Sequence, residues 1–181
     1  MRRFQLIGSL LLVLSVVFQV AFTTASALAS GRQRASAVPT IPCGDIIGGA
    51  PSGSAYGYRI ILGVVSVPPP SLRQVIVTPS DPWPYWRKAG LVIRGTTRMP
   101  VVVSVPTRWR NEVAITWGGN TDIVSSLRFA PCPSGASAAW NAYAGGFCLR
   151  RPSLCVPLTF QVGQRSATVR FGLGRPCSSG A

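Results

Sequence analysis

From about Cys43 onward the chain alternates short β-branched apolar runs with clusters of Gly, Pro, Asn and Asp. Residues 156–162 give the pattern in its simplest form. Val156, Leu158, Phe160 and Val162 fall on one side of an extended chain, and Pro157, Thr159 and Gln161 on the other, because successive side chains of a strand point to opposite faces. Val169, Phe171 and Leu173 repeat the row against Thr168 and Arg170, and Gly163 to Ser166 closes the pair as a hairpin. The same signals place strands at 58–67, 74–78, 91–95, 101–105, 112–117, 123–130, 141–149, 155–162 and 167–173. No stretch of useful length carries a helical apolar period, and 16 prolines and 19 glycines oppose helix. The pattern predicts an all-β domain over 43–181: a two-sheet antiparallel β-sandwich, Ig-like or jelly-roll-like, of about eight or nine short strands.

One segment recurs. Residues 64–78 (VVSVPPPSLRQVIVT) align without gaps on 102–116 (VVSVPTRWRNEVAIT), sharing Val64/Val102, Val65/Val103, Ser66/Ser104, Val67/Val105, Pro68/Pro106, Val75/Val113 and Thr78/Thr116. A strand, a proline that stops it, a short connection and a second strand occur twice, each followed by a further strand. One such unit cannot cover its own apolar face, and two can cover each other, which favours packed sheets over an open one.

The N-terminus bears on the compartment. Arg2 and Arg3 precede an apolar stretch from Phe4 to Phe22, and small residues up to Ser30 offer A-x-A cleavage sites, the best after Ala29. Residues 1–29 therefore read as a signal peptide. The alternative is an uncleaved anchor over residues 4–22, close to the length that spans a bilayer. Residues 30–42 are small, polar and proline-containing and read as a flexible spacer. All five cysteines follow it, which in an oxidising compartment means disulfides. The expected pairs are Cys43–Cys132 and Cys155–Cys177 with Cys148 a free thiol; the principal rival is Cys148–Cys155.

Charge and chemistry narrow the function. Without Arg2 and Arg3, 16 basic and 4 acidic residues leave a charge of +12, nearly all of it arginine, with Lys88 the single lysine. Such a charge suits anionic wall polymers, acidic lipids or nucleic acid, although a GC-rich coding sequence also enriches Arg, Ala, Gly and Pro together. The chain has no histidine, which removes Ser-His-Asp and Cys-His catalysis and the commonest general base. Without histidine or a C-x-x-C pair no metal site is expected, and no cofactor. The four carboxylates are Asp45, Asp81, Glu112 and Asp122. Glu112 and Asp122 flank an expected hairpin, but each has a structural explanation: Asp122 suits a turn and Glu112 opens a strand beside Arg110. Gly48-Gly49 and Gly145-Gly146 read as ordinary turn glycines. The chain is expected not to be an enzyme; a carboxylate-based activity is the alternative.

If consecutive strands reverse direction, alternate loops share one end of the domain. Loops 79–90, 106–111, 131–140 and 163–166 would then form a rim carrying Trp83, Tyr85, Trp86, Arg87, Lys88, Arg108, Trp109, Arg110 and Arg165, while Arg73, Arg98, Arg150 and Arg151 would lie at the other end. Aromatic faces beside cations suit sugar rings of an anionic polymer. The competing reading is that Trp86 and Trp109 plug the ends of the core, with arginines stacked over them. Trp117 and Trp140 are expected in the core.

The segments CGD (43–45), GYRIILGVVSVPP (57–69), WPYWRKAGLVIRG (83–95), VAITWG (113–118), NAYAGGF (141–147) and CVPLTFQVGQRSATVRFGLG (155–174) together resemble a group of uncharacterised exported proteins of actinobacteria. The resemblance implies export and a single domain, and no activity or functional residue follows from it. The expected function is a non-catalytic secreted or cell-surface domain, structural or binding, at the cell envelope. The alternative is a binding module for anionic cell-wall polymers or glycans through the aromatic-basic rim. No nucleic-acid partner is expected, because export makes the encounter uncommon, and no membrane contact beyond the N-terminal apolar segment.

Overall fold

The computed structural model describes residues 37–48, 57–78, 81–119, 122–133 and 139–178; the expected signal peptide, anchor and most of the spacer lie outside them. The described chain is all-β, with two single-turn 3-10 segments at Cys43–Asp45 and Thr107–Trp109. Its strands are β1 (Thr40–Ile41), β2 (Arg59–Ile61), β3 (Val65–Val67), β4 (Ser71–Leu72), β5 (Ile76–Val77), β6 (Tyr85–Lys88), β7 (Leu91–Arg94), β8 (Val101–Ser104), β9 (Val113–Trp117), β10 (Ser126–Phe129), β11 (Trp140–Tyr143), β12 (Gly145–Leu149), β13 (Leu154–Val162) and β14 (Arg165–Leu173). They form a six-stranded sheet ordered β1-β10-β8-β13-β14-β4 and two four-stranded sheets, β11-β7-β3-β2 and β5-β6-β12-β9.

Fourteen strands in three sheets therefore stand where eight or nine in two were expected. The excess comes from interruptions that an apolar run conceals. Residues 58–67 are a hairpin, with Arg59 opposite Val67 and the chain reversed through Leu62 (φ 51°) and Gly63 (φ 73°), the positive φ pair that a tight hairpin turn requires. Residues 141–149 break at Ala144, but their pairing does not. Tyr143 lies opposite Leu91 and Gly146 opposite Lys88, so the register runs unshifted from β11–β7 into β12–β6. The two four-stranded sheets are thus halves of one antiparallel ladder, interrupted at Ala89–Gly90. The Trp117 indole N–H pins that junction by donating to the Ala89 carbonyl at 2.7 Å.

Gly145 and Gly146 are not turn residues. They sit inside this ladder, where a Cβ on Gly145 would lie 2.0 Å from the Thr116 carbonyl oxygen and one on Gly146 2.0 Å from that of Arg87. Backbone approaches that close admit only glycine.

The core lies between the six-stranded sheet and the other two. Phe147 of β12 meets Phe171 of β14 (ring centroids 5.5 Å apart) and Trp117 of β9 (5.7 Å), and Phe129 of β10 meets Tyr143 of β11 (4.9 Å). These tilted and edge-on pairs add to the burial of the rings themselves. The rows read from the sequence are in place: Val156, Leu158, Phe160, Val162, Val169, Phe171 and Leu173 are buried, as are Val113, Ile115 and Trp117. Trp140 is buried too, but on the outer side of its sheet. Its partner Arg94 lies across the strand, with the guanidinium carbon 4.6 Å from the ring centroid.

Both expected disulfides are present, Cys43–Cys132 and Cys155–Cys177, and Cys148 is a buried free thiol. The first holds the start of the domain. Just before it, Thr40 and Ile41 pair in parallel with Arg128 and Phe129, and Ile41 is buried, so ordered structure begins inside the stretch expected to be spacer.

The sequence repeat is also a repeat of pairing. In the first copy β3 pairs with β7 (Val65 opposite Ile93) and β5 with β6 (Val77 opposite Tyr85). In the second, the aligned Val103 lies opposite Leu127 and the aligned Ile115 bridges Val124. Each copy is a strand, a second strand, and a third that pairs first with the second and then with the first. The copies do not simply stack on each other: β5 and β9 are the two edges of one four-stranded sheet.

Candidate functional site

Tyr85, Leu149 and Val113 lie side by side in β6, β12 and β9, so whatever precedes Tyr85, follows Leu149 or precedes Val113 gathers at one end of that sheet. There Thr78 closes the β5–β6 hairpin: its N–H donates to the Pro84 carbonyl (2.9 Å) and its hydroxyl to the Trp83 carbonyl (3.1 Å). The Arg150 guanidinium lies over the half-buried Trp83 ring, 5.4 Å from its centroid. Arg150 also donates its N–H to the Glu112 carbonyl (3.0 Å), and Arg151 reaches the Glu112 carboxylate with an N–H···O contact of 2.8 Å. Glu112 in turn donates its N–H to the Trp109 carbonyl (2.9 Å). Trp109 packs against the core, and its indole nitrogen and the second Glu112 oxygen are buried without a partner. Arg110 is exposed, its Nε donating to the Val105 carbonyl (3.3 Å), and Arg108 is exposed beside it.

This arrangement keeps part of the expected rim and redistributes the rest. Trp83, Tyr85, Arg108, Trp109 and Arg110 share the end of the sheet. Arg150 and Arg151, assigned to the opposite end, belong with them, and Arg150 supplies the cation over Trp83. Tyr85 to Lys88 form a strand rather than a loop, so period two divides them. Tyr85 and Arg87 share their row with Leu149, Val113, Phe147 and Ile115 on the core side, whereas Trp86 and Lys88 face outward with Cys148 and Gly146. Arg165 is elsewhere. It follows the β13–β14 turn beyond Val162, which lies opposite Val101, at the far end of β8 from the 106–111 loop and about 10 Å or more along the strand. In the same turn a Cβ on Gly163 would meet Met99 at 2.8 Å; a separate open groove of about 490 Å³ is lined by Gly95, Thr96, Thr97, Arg98, Pro131 and Pro133.

Glu112 and the Cys148 thiol are the acidic and nucleophilic groups with a clear structural setting. Glu112 is held by Arg151, and β9 separates it from Asp122 by about 17 Å of extended chain. Among the described residues no group of three or more His, Cys, Asp or Glu side chains could hold a metal ion. Burial pushes the Cys148 thiol up to about 11, so it is protonated and a poor nucleophile near neutral pH. Burial also raises Tyr143, with the Asp45 carboxylate adding to the effect. Burial raises Tyr58 against the opposing influence of its 3.4 Å hydrogen bond to the Gly90 carbonyl.

Comparison with protein-family models, with curated proteins and with solved structures gives no match to this chain. The site stands on its geometry alone.

Proposed function

We propose that this chain is an exported, non-catalytic domain that binds an anionic polymer of the cell envelope through the cationic, aromatic end of its β5-β6-β12-β9 sheet. The observation carrying the proposal is the Arg150 guanidinium seated over Trp83, with exposed Arg108, Arg110 and Arg151 on the adjoining strand ends. A cation over an indole forms a flat, charged platform suited to a sugar ring bearing carboxylate or phosphate. The surplus of 16 basic over 4 acidic residues beyond Arg3 supports attraction to such a polymer at long range. Two disulfides fit an oxidising compartment, and the absence of histidine favours binding over acid–base catalysis. The finer fold we propose is a two-layer sandwich, supported by the unbroken register that joins the two four-stranded sheets.

The test is retention of the mature protein on purified wall polymers as salt is raised. Retention should fall steeply with ionic strength. Arg150→Gln with Arg108→Gln should weaken it several-fold, and Arg165→Gln, at the other end, should leave it nearly unchanged. Retention that ignores salt, or that depends on Arg165 as much as on Arg150, refutes the assignment.

A further inference from the structure

We infer that the β5 edge of this same end docks on the surface of an anionic phospholipid bilayer. The electrostatic half of the inference rests on the proposed function; the apolar half stands on a separate observation. Ile76 and Val77 are adjacent, form an outer edge strand, and are 48% and 78% exposed. Exposed aliphatic side chains scattered singly need no explanation, but these two adjoin aromatics. Ile76 lies opposite Trp86 on the outward row and Val77 opposite Tyr85 on the core-side row, so the pair straddles the sheet edge and meets a surface edge-on. The Thr78–Trp83 hydrogen bond brings Trp83 to the end of the same hairpin. Trp83, Tyr85 and Trp86 are each half-buried, and Trp and Tyr are the residues that settle where hydrocarbon meets headgroups.

Charge complementarity decides the occupant. Arg73 just before β5, Lys88 on the outward row of β6 and Arg150 over Trp83 are exposed cations, against one exposed carboxylate, Asp81, in the hairpin. Cations around an apolar ridge match phosphate headgroups around an acyl boundary. A polysaccharide would use the cations and leave Ile76 and Val77 in water, whereas a bilayer covers both. The basic charge already admits acidic lipids as a partner; the apolar half of the contact is not visible in the sequence, because the edge position of β5 comes only from the fold.

The mature protein is floated with vesicles of phosphatidylcholine, with and without phosphatidylglycerol. The wild type should rise with the phosphatidylglycerol vesicles and not with neutral ones. Ile76→Ser with Val77→Ser, which keeps every charge, should weaken partition about tenfold while leaving retention on wall polymer unchanged. Val77→Trp should strengthen partition onto phosphatidylglycerol vesicles with Tm unchanged, which separates the gain from core surface exposed by misfolding. Equal partition of the serine variant and the wild type, equal partition onto neutral vesicles, or no gain from Val77→Trp overturns the inference. Polymer retention without vesicle binding overturns it too and leaves the proposed function standing. Vesicle binding without polymer retention does the reverse.

Discussion

Gly146 offers a sharp test of the unbroken ladder between β6–β7 and β11–β12. It sits opposite Lys88 in β6 and Thr116 in β9, and a Cβ there would lie 2.0 Å from the Arg87 carbonyl oxygen, 2.9 Å from its carbon and 3.0 Å from the Ala89 nitrogen. All three neighbours are backbone, so no side chain can swing away. Restoring an ordinary carbon–oxygen contact requires β6 to retreat by more than 1 Å, which strains the hydrogen bonds that flank it, including that from the Ala89 N–H to the Gly145 carbonyl. Gly146→Ala should therefore cost about 3 kcal/mol or more, at the upper end of overpacking effects, and lower Tm by about 10 °C for a domain of this size. Two other glycines separate the causes. Gly63 has nothing within 4 Å but φ +73°, so Gly63→Ala should cost only the left-handed backbone penalty of about 1 kcal/mol. Gly44 has open space and no positive φ, so Gly44→Ala should stay within about 0.5 kcal/mol of the wild type. Equilibrium unfolding in guanidinium, followed by tryptophan fluorescence, gives the three values. A Gly146→Ala protein within about 1 kcal/mol of the wild type would refute the close approach and the register built on it.

Three further outcomes are expected. The disulfides enclose loops of 89 and 22 residues, so removing Cys43–Cys132 should cost about 4.6 kcal/mol and removing Cys155–Cys177 about 3.4 kcal/mol by the chain-entropy relation; unfolding of the two double-alanine variants checks the order. Cys148, its thiol raised to about 11 from an ordinary 9, favours the protonated fold. Stability from this group should be intact below pH 9 and be lost as pH climbs through 9 to 11; unfolding of the wild type and Cys148→Ala across that range reads the difference, and rapid thiol labelling of the native protein at pH 7 would contradict the burial. Arg94→Ala should uncover the outer-side Trp140, cost about 0.5–1 kcal/mol and shift tryptophan emission to longer wavelength.

Period-two rows were the most legible feature of the sequence, because burial on one face writes itself directly into alternate residues. Val156 to Val162, Val169 to Leu173 and Val113 to Trp117 needed nothing more. Chain reversal inside an apolar run was not legible. Leu62 takes a positive φ that leucine rarely adopts, and only Gly63 hinted at a turn between Ile61 and Val65. Tyr85 to Lys88 passed for a loop because charge and aromatics sit on both faces, so no polar row marked the outside. The site was half legible for the same reason. Its aromatics could be named, but Arg150 reaches Trp83 only because Leu149 and Tyr85 are opposite each other, and that depends on a register set by glycines that resemble turn residues. The disulfides were legible only as the favoured of several pairings: Cys148–Cys155 stayed open until the fold set Cys155 beside Cys177 and buried the Cys148 thiol.

The repeat shows how one motif yields two different edges. Its identities concentrate in the first strand, where both copies meet the same demand: Val65, Val67, Val103 and Val105 are all fully buried. The shared serine differs in company. Ser104 pairs its hydroxyl with that of Ser126 at 2.7 Å, while the Ser66 hydroxyl is buried without a partner. The second strands diverge because their flanks do. β9 is covered by β12 on one side and bridged by Val124 on the other, and Ile115 is fully buried. The aligned Val77 has β6 on one side and, among the described residues, no strand paired on the other, and it is the most exposed of the large apolar residues described. An apolar residue is required at Ile115 by packing. At Val77 packing requires none, since an edge strand is ordinarily protected by charge or proline, and here the exposed charge stands outside the pair, at Arg73. Val77 is thus left available to an apolar partner, as the proposed bilayer contact requires.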